Sequence, residues 1–164
     1  MMCISLWQPW ASLIVIGAKR FETRSWPTSY RGPLLIHAAK HFTRDERDCC
    51  QDEPFFSSLV RAGIHCDDDI PLGCILGVAD LFECFNVHKG YMRCEYQSLL
   101  VSKVTLPPEP ERSFGDYSDG RFAWQLKNVR RFPNPIIYTG HQGLFNVDDD
   151  VVTAAIERAL PCLT

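Results

Sequence analysis

The sequence predicts an α+β domain built on a small, closed or partly closed β-barrel with helices over its ends. Three observations lead there. Short apolar runs bounded by turn residues recur along the whole chain, and helical stretches interrupt them without the regular alternation of a doubly wound sheet. The run GCILGVADLFECF carries Gly73 and Gly77 inside an otherwise continuous apolar segment, as a buried and strongly bent barrel strand does. Finally, 164 residues with 46% hydrophobic and 12% aromatic content suffice for one filled core, and no linker or internal repeat divides them. A single domain over residues 1–164 is expected.

Each element has a local signal. MCISL reads as a first strand, and QPWASLIVIG as a helix, with Pro9 suited to its first turn and Gly17 to its C-terminal cap. FETRSW is a second strand; past the turn residues Pro27, Ser29 and Gly32, PLLIHAA is a third. Thr43 and Glu46 form a capping-box pattern, and Pro54 and Gly63 bracket the helical segment FFSSLVRA. After the bent strand, a helix is expected around CEYQSLLVSK. The Pro-, Gly-, Ser- and Asp-rich LPPEPERSFGDYSDG is expected to be a mobile loop. RFAWQLKNVRRF and GLFNV are the last strands, and Asp148 caps a final helix over about 148–160 that presents Val152, Ala155, Ile156 and Ala159 on one face.

A net charge of -3 and a pI near 5.9 exclude an extended basic surface of the kind that binds long polyanions. The distribution is uneven: Lys19, Arg20, Arg24, Arg31, Lys40 and Arg44 face Glu22 alone between residues 17 and 44. Acid gathers at Asp67, Asp68 and Asp69 and at Asp148, Asp149 and Asp150, read as a loop and a helix N-terminus. Eight cysteines without a C-x-x-C pair, and no signal-peptide pattern at the start, point to reduced thiols rather than disulfides or structural zinc. No apolar stretch approaches the roughly 20 residues that span a bilayer. The expectation is a soluble cytoplasmic protein, or a nuclear one in a eukaryote, with no metal, no cofactor and no membrane partner.

The chemistry concentrates in GAKRFETRSW. Glu22 and Arg24, two apart on a strand, share a face and can pair, whereas Thr23 between them turns to the other side. Lys19, beside the helix-ending Gly17, is read as a mobile cation. Trp7, Trp10 and Trp26 are close in sequence; Trp10, on an apolar helix, is read as core. His37 and His41 are read as structural, because the strand pattern of PLLIHAA breaks the helical spacing a metal pair would need. Asp80, inside an apolar run, requires a partner: either a cation of the cluster or solvent.

Gly17, Lys19, Glu22 and Arg24 match G-x-K-x-x-E-x-R. With SLWQPWASLIVIG before it and SYRGPLLIHAAK, PLGCILGVADL and FAWQL after it, the sequence resembles the activating signal cointegrator homology (ASCH) domain over about residues 1–147. The resemblance implies a PUA-like pseudo-barrel, a fold associated with RNA and modified-nucleotide recognition, with the motif lining a cleft at its mouth. Lys19, Glu22, Arg24, Trp26 and Arg31 are then the expected ligand-binding residues: Arg24 as a planar fork for phosphate or a base edge, the tryptophan as a stacking surface. RNA, another single-stranded nucleic acid or a nucleotide is the expected partner.

An alternative is hydrolysis of a modified nucleoside or of RNA. Some relatives in the PUA-like superfamily are amidohydrolases on acetylated cytidine, with a lysine and a threonine in the equivalent octet and a glutamate from elsewhere. Lys19 keeps the lysine, but the threonine position holds Glu22. In an enzyme, Glu22 would act as general base and Lys19 would stabilise the oxyanion.

Overall fold

The structure is a computed structural model that describes residues 1–65, 67–94 and 103–159. Four helices and eight strands are defined among them: β1 (Met2–Leu6), α1 (Trp10–Val15), β2 (Phe21–Arg24), β3 (Gly32–Ala38), α2 (Arg44–Gln51), α3 (Phe55–Arg61), β4 (Cys74–His88), β5 (Tyr91–Cys94), β6 (Lys103–Thr105), β7 (Phe122–Ile137), β8 (Leu144–Asn146) and α4 (Asp149–Ala159). The strands form one mixed sheet with the path β2-β7-β4-β3-β1-β8, and β5 and β6 extend it from β4. Among the described residues only β1 and β3 pair in parallel, the chain between them crossing through α1 and β2. No described pairing joins β2 to β8, so the barrel is curled but open. The helix expected around residues 94–103 falls largely outside the described residues; its first and last positions end β5 and begin β6.

Alternation along the strands divides the apolar side chains between two faces. Ile4, Leu6, Leu34, Ile36, Trp124 and Leu126 point into the main core with Ile14 of α1. Cys3, Leu35, Ile75, Val78 and Phe132 line the opposite face, where α4 covers them with Val152, Ala155 and Ile156. A third cluster joins Leu13 of α1 to Cys50 of α2, Leu59 of α3 and Phe114. The sheet bends because its two long strands slip. Pairing of β4 with β7 shifts register at three places, and each shift turns the strand relative to its neighbour. Gly77 lies at one of them, where an added Cβ would sit 2.4 Å from the Arg130 carbonyl oxygen, so the strands approach only because that side chain is missing.

Gly17 has a φ of +79° and ends α1 as its position predicts. The capping box of Thr43 and Glu46 opens α2. The segment 106–120 departs from expectation. It contains a short 3-10 turn, Glu111–Phe114, in which Glu111 is 4% and Phe114 0% exposed, so it is packed onto the body rather than free. Its composition reports turns, and turns are compatible with burial when their polar groups are matched. No described helix is long and apolar enough to cross a membrane.

Candidate nucleotide-binding cleft

A cleft of about 1030 Å³ opens where the two ends of the strand path curl toward each other. One wall comes from Lys19, Glu22, Thr23, Arg24 and Trp26, on and beside β2, together with residues 113–116 and Arg121. The other comes from the C-terminal ends of β1 and β3 and from residues 138–143, which lead into β8. A closed sheet would have hydrogen-bonded these edges together. The gap is therefore the candidate site.

The floor is the motif. β2 pairs with β7 in the register Glu22 to Trp124, and the Arg20 carbonyl accepts from the Leu126 amide at 2.8 Å, so the strand is held at both ends. Glu22 and Arg24 do share a face, with the Arg24 Nη1 3.5 Å from Glu22 Oε1. Lys19 completes the cluster, 3.6 Å from Glu22 Oε2, but it is not a mobile cation. It is fully buried, and its Nζ donates to the Phe114 carbonyl at 2.8 Å. Burial lowers the Lys19 pKa from the ordinary lysine value, and the nearby carboxylates of Glu22 and Glu111 partly oppose that.

Glu111 left no trace as a site residue in the sequence, a single carboxylate inside a turn-rich segment. Its carboxylate accepts from the Arg20 amide at 2.8 and 2.9 Å and from the Phe21 amide at 3.1 Å. It thereby caps the free start of β2 and carries the 106–120 segment onto the motif. The Asp116 amide donates to Thr23 Oγ1 at 3.0 Å, and Arg121 Nη2 donates to the Thr23 carbonyl at 3.3 Å. Thr23 also borders the cleft, with its hydroxyl engaged in anchoring this segment.

The aromatic residues form the upper walls. Trp26 is partly buried, edge-on to Trp124 at 4.6 Å between ring centres, with the Arg24 guanidinium 5.7 Å from its ring. Trp7 is 55% exposed and leans on His41 at 4.6 Å. Trp10 is not a core residue. It is partly exposed and lines the cleft, its ring meeting Phe55 at 5.9 Å, because it stands at the first position of α1, ahead of the buried run Ala11, Ser12, Leu13, Ile14 and Val15.

Arg31 lies elsewhere. It donates to the carbonyls of Thr28 and Tyr30 and pairs with Glu83, so it braces the turn between β2 and β3 rather than facing the cleft. Asp80 takes the solvent-facing alternative rather than a cation of the cluster: its Oδ2 accepts from Asn128 Nδ2 at 2.8 Å in an exposed position, across a register shift between β4 and β7. His41 Nε2 lies 3.2 Å from the Glu46 carboxylate. His37, opposite Ser5 in the parallel pair β1–β3, has its Nδ1 3.0 Å from Ser5 Oγ and its Nε2 3.0 Å from the Tyr138 carbonyl. A carbonyl only accepts, so Nε2 carries the proton and the Ser5 hydroxyl donates to Nδ1. Burial lowers the His37 pKa, with His141 adding to the effect.

An open, curled mixed sheet whose two ends share a polar cleft with aromatic walls defines the class of PUA-like pseudo-barrel modules. The ASCH domain family model matches residues 4–136, and the chain belongs to that family. It is 39% identical over 84 residues to activating signal cointegrator 1 of Mus musculus and of Homo sapiens, a stretch that takes in 51% of this chain and 14% of each relative. The crystal structure of ASCH from Zymomonas mobilis aligns with a TM-score of 0.49 and 18% identity, covering 93% of this chain and 90% of that one.

Proposed function

We propose that the protein binds an unpaired nucleotide of RNA, or a free nucleotide, in the cleft. The observation that carries this is the conjunction of an ion-paired cluster, buried Lys19 and Glu22 with a partly exposed Arg24, and tryptophan walls in one opening of about 1030 Å³. Flat walls suit a base, since stacking on an aromatic contributes about 1–3 kcal/mol per base. The partly exposed Arg24, with Lys40 and Arg121 bordering the opening, supplies donors for phosphate. Family membership supports the reading, because ASCH domains are generally RNA-binding. Lys19, bonded to Phe114, orders the floor, and Glu22, Arg24 and Trp26 meet the ligand.

Tryptophan fluorescence during titration with a short single-stranded RNA tests the proposal. The wild type is expected to be quenched on binding. Trp26→Ala and Arg24→Ala are each expected to weaken binding by about 1–3 kcal/mol, roughly 5- to 150-fold. No quenching and no binding at low salt would end it. Turnover of RNA or of acetylated cytidine, lost in Glu22→Gln, would instead establish the hydrolytic alternative with Glu22 as general base.

A further inference from the structure

We infer that the cleft selects guanine, reading its Watson–Crick edge through Glu22. This rests on the nucleotide-binding reading and adds the identity of the base.

The signs of charge set the orientation of a bound nucleotide. Glu22 forms part of the floor at 7% exposure, whereas Lys40 is exposed and Arg121 partly so where they border the opening. The two cations beside it are already engaged, Lys19 fully buried on the Phe114 carbonyl and Arg24 paired with Glu22, so a phosphate pushed inward would meet the Glu22 carboxylate; it stays outward with Lys40 and Arg121, and the base enters edge first. The edge then meets Glu22.

That carboxylate is held without being used up. Its contacts to Lys19 and Arg24, at 3.6 and 3.5 Å, are ion pairs longer than ordinary charge-assisted hydrogen bonds. Both oxygens keep acceptor capacity, since an ionised carboxylate has about four acceptor positions. Two acceptors side by side call for two donors side by side. Guanine offers N1–H beside N2–H₂. Adenine and cytosine each offer one amino donor next to a ring-nitrogen acceptor, and uracil one N–H between two carbonyls, so each sets an acceptor against one carboxylate oxygen.

Guanine also fits the flank. Next to N1–H stands O6, an acceptor, and next to Glu22 Oε1 stands the Arg24 guanidinium, a donor. The order donor, acceptor, acceptor in the protein thus matches acceptor, donor, donor in the base. Trp26, within cation–π distance of the same guanidinium, adds a ring surface on this wall.

The experiment measures binding of GMP, IMP, AMP, CMP and UMP to the full chain by calorimetry. IMP is the sharpest comparison because it differs from GMP only in lacking the N2 amino group. GMP is expected to bind about tenfold or more tighter than IMP, and tighter still than the other three, the loss expected of one hydrogen bond to a charged group. Glu22→Gln, verified as folded by circular dichroism, is expected to bring GMP down toward IMP, because its amide replaces one acceptor by a donor. Equal binding of all five would overturn guanine selection and leave the nucleotide reading standing. No binding of any, by mononucleotide or by the short RNA, would remove both. The GMP to IMP ratio in the wild type decides the matter even if Glu22→Gln does not fold.

Discussion

At the scale of single residues, the motif shows how one lysine changes meaning with burial. Lys19 is fully buried yet satisfied, with a carbonyl at 2.8 Å and a carboxylate at 3.6 Å, and this makes it part of the architecture on which Glu22 rests. His37 offers a measurement at the same scale. Its folded pKa lies below the ordinary 6.5, through burial, so below that pH the unfolded chain binds a proton that the folded chain refuses. Stability therefore rises with pH through this window and falls on acidification, by up to about 1.4 kcal/mol per pH unit for one such group. Ser5 and Tyr138 contact the ring and His141 acts on it at longer range; none supplies a compensating negative charge. Urea denaturation at several pH values below about 6.5 is expected to show this decline, and His37→Gln is expected to fall less steeply.

At the scale of elements, β2 is only four residues long and pairs on one side, with β7. Such a strand needs a second restraint, and the 106–120 segment supplies it through Glu111. Glu111→Ala would leave the amides of Arg20 and Phe21 without their acceptor. A destabilisation of about 2–4 kcal/mol is expected, from one buried and one part-buried donor at about 1–3 kcal/mol each, the part-buried Arg20 amide being the one water relieves. Denaturant titration measures the loss, and hydrogen exchange is expected to locate it, accelerating first at Arg20 and Phe21. An unchanged midpoint would show that β7 alone holds the motif strand.

At the scale of the molecule, a net charge of -3 and a local cluster of cations act in opposite directions on a polyanion. The structure reduces the cations available to phosphate. Lys19 is buried, Arg31 pairs with Glu83, and Arg20 lies 3.6 Å from Glu111. Arg24, Lys40 and Arg121 border the cleft and keep partly exposed or exposed side chains there, although Arg24 also pairs with Glu22 and Arg121 with Asp116 at 3.3 Å. Affinity for a short single-stranded RNA is therefore expected to fall shallowly with salt, with a log–log slope of about -1.4 to -2 from two or three phosphate contacts. Binding isotherms across salt concentrations test this; a steep slope would indicate an extended basic surface instead of a compact cleft.

The sequence by itself determined the motif and most of the elements, though not β5, β6 or the packed turn of Glu111–Phe114. Alternation, Gly17, Pro9 and the Thr43–Glu46 pair are local signals, and the structure keeps each where the pattern put it. The ion pair of Glu22 with Arg24 was legible for the same reason, since residues two apart on a strand always share a face. Distance in the chain hid the rest. Glu111 meets Arg20 across ninety-one positions, and Phe114 meets Lys19 across ninety-five, contacts for which no periodicity or spacing gives a sign. Without the Phe114 contact Lys19 read as mobile; in the same way Trp10, which meets Phe55, read as core, and Arg31, which pairs with Glu83, as part of the cluster. Whether a lysine is solvated or buried, and whether a tryptophan faces a core or a cleft, depends on which surfaces the curled sheet brings together. Only the tertiary structure decided that, because the register shifts between β4 and β7 set how far the sheet curls and leave its two ends apart as the walls of a site.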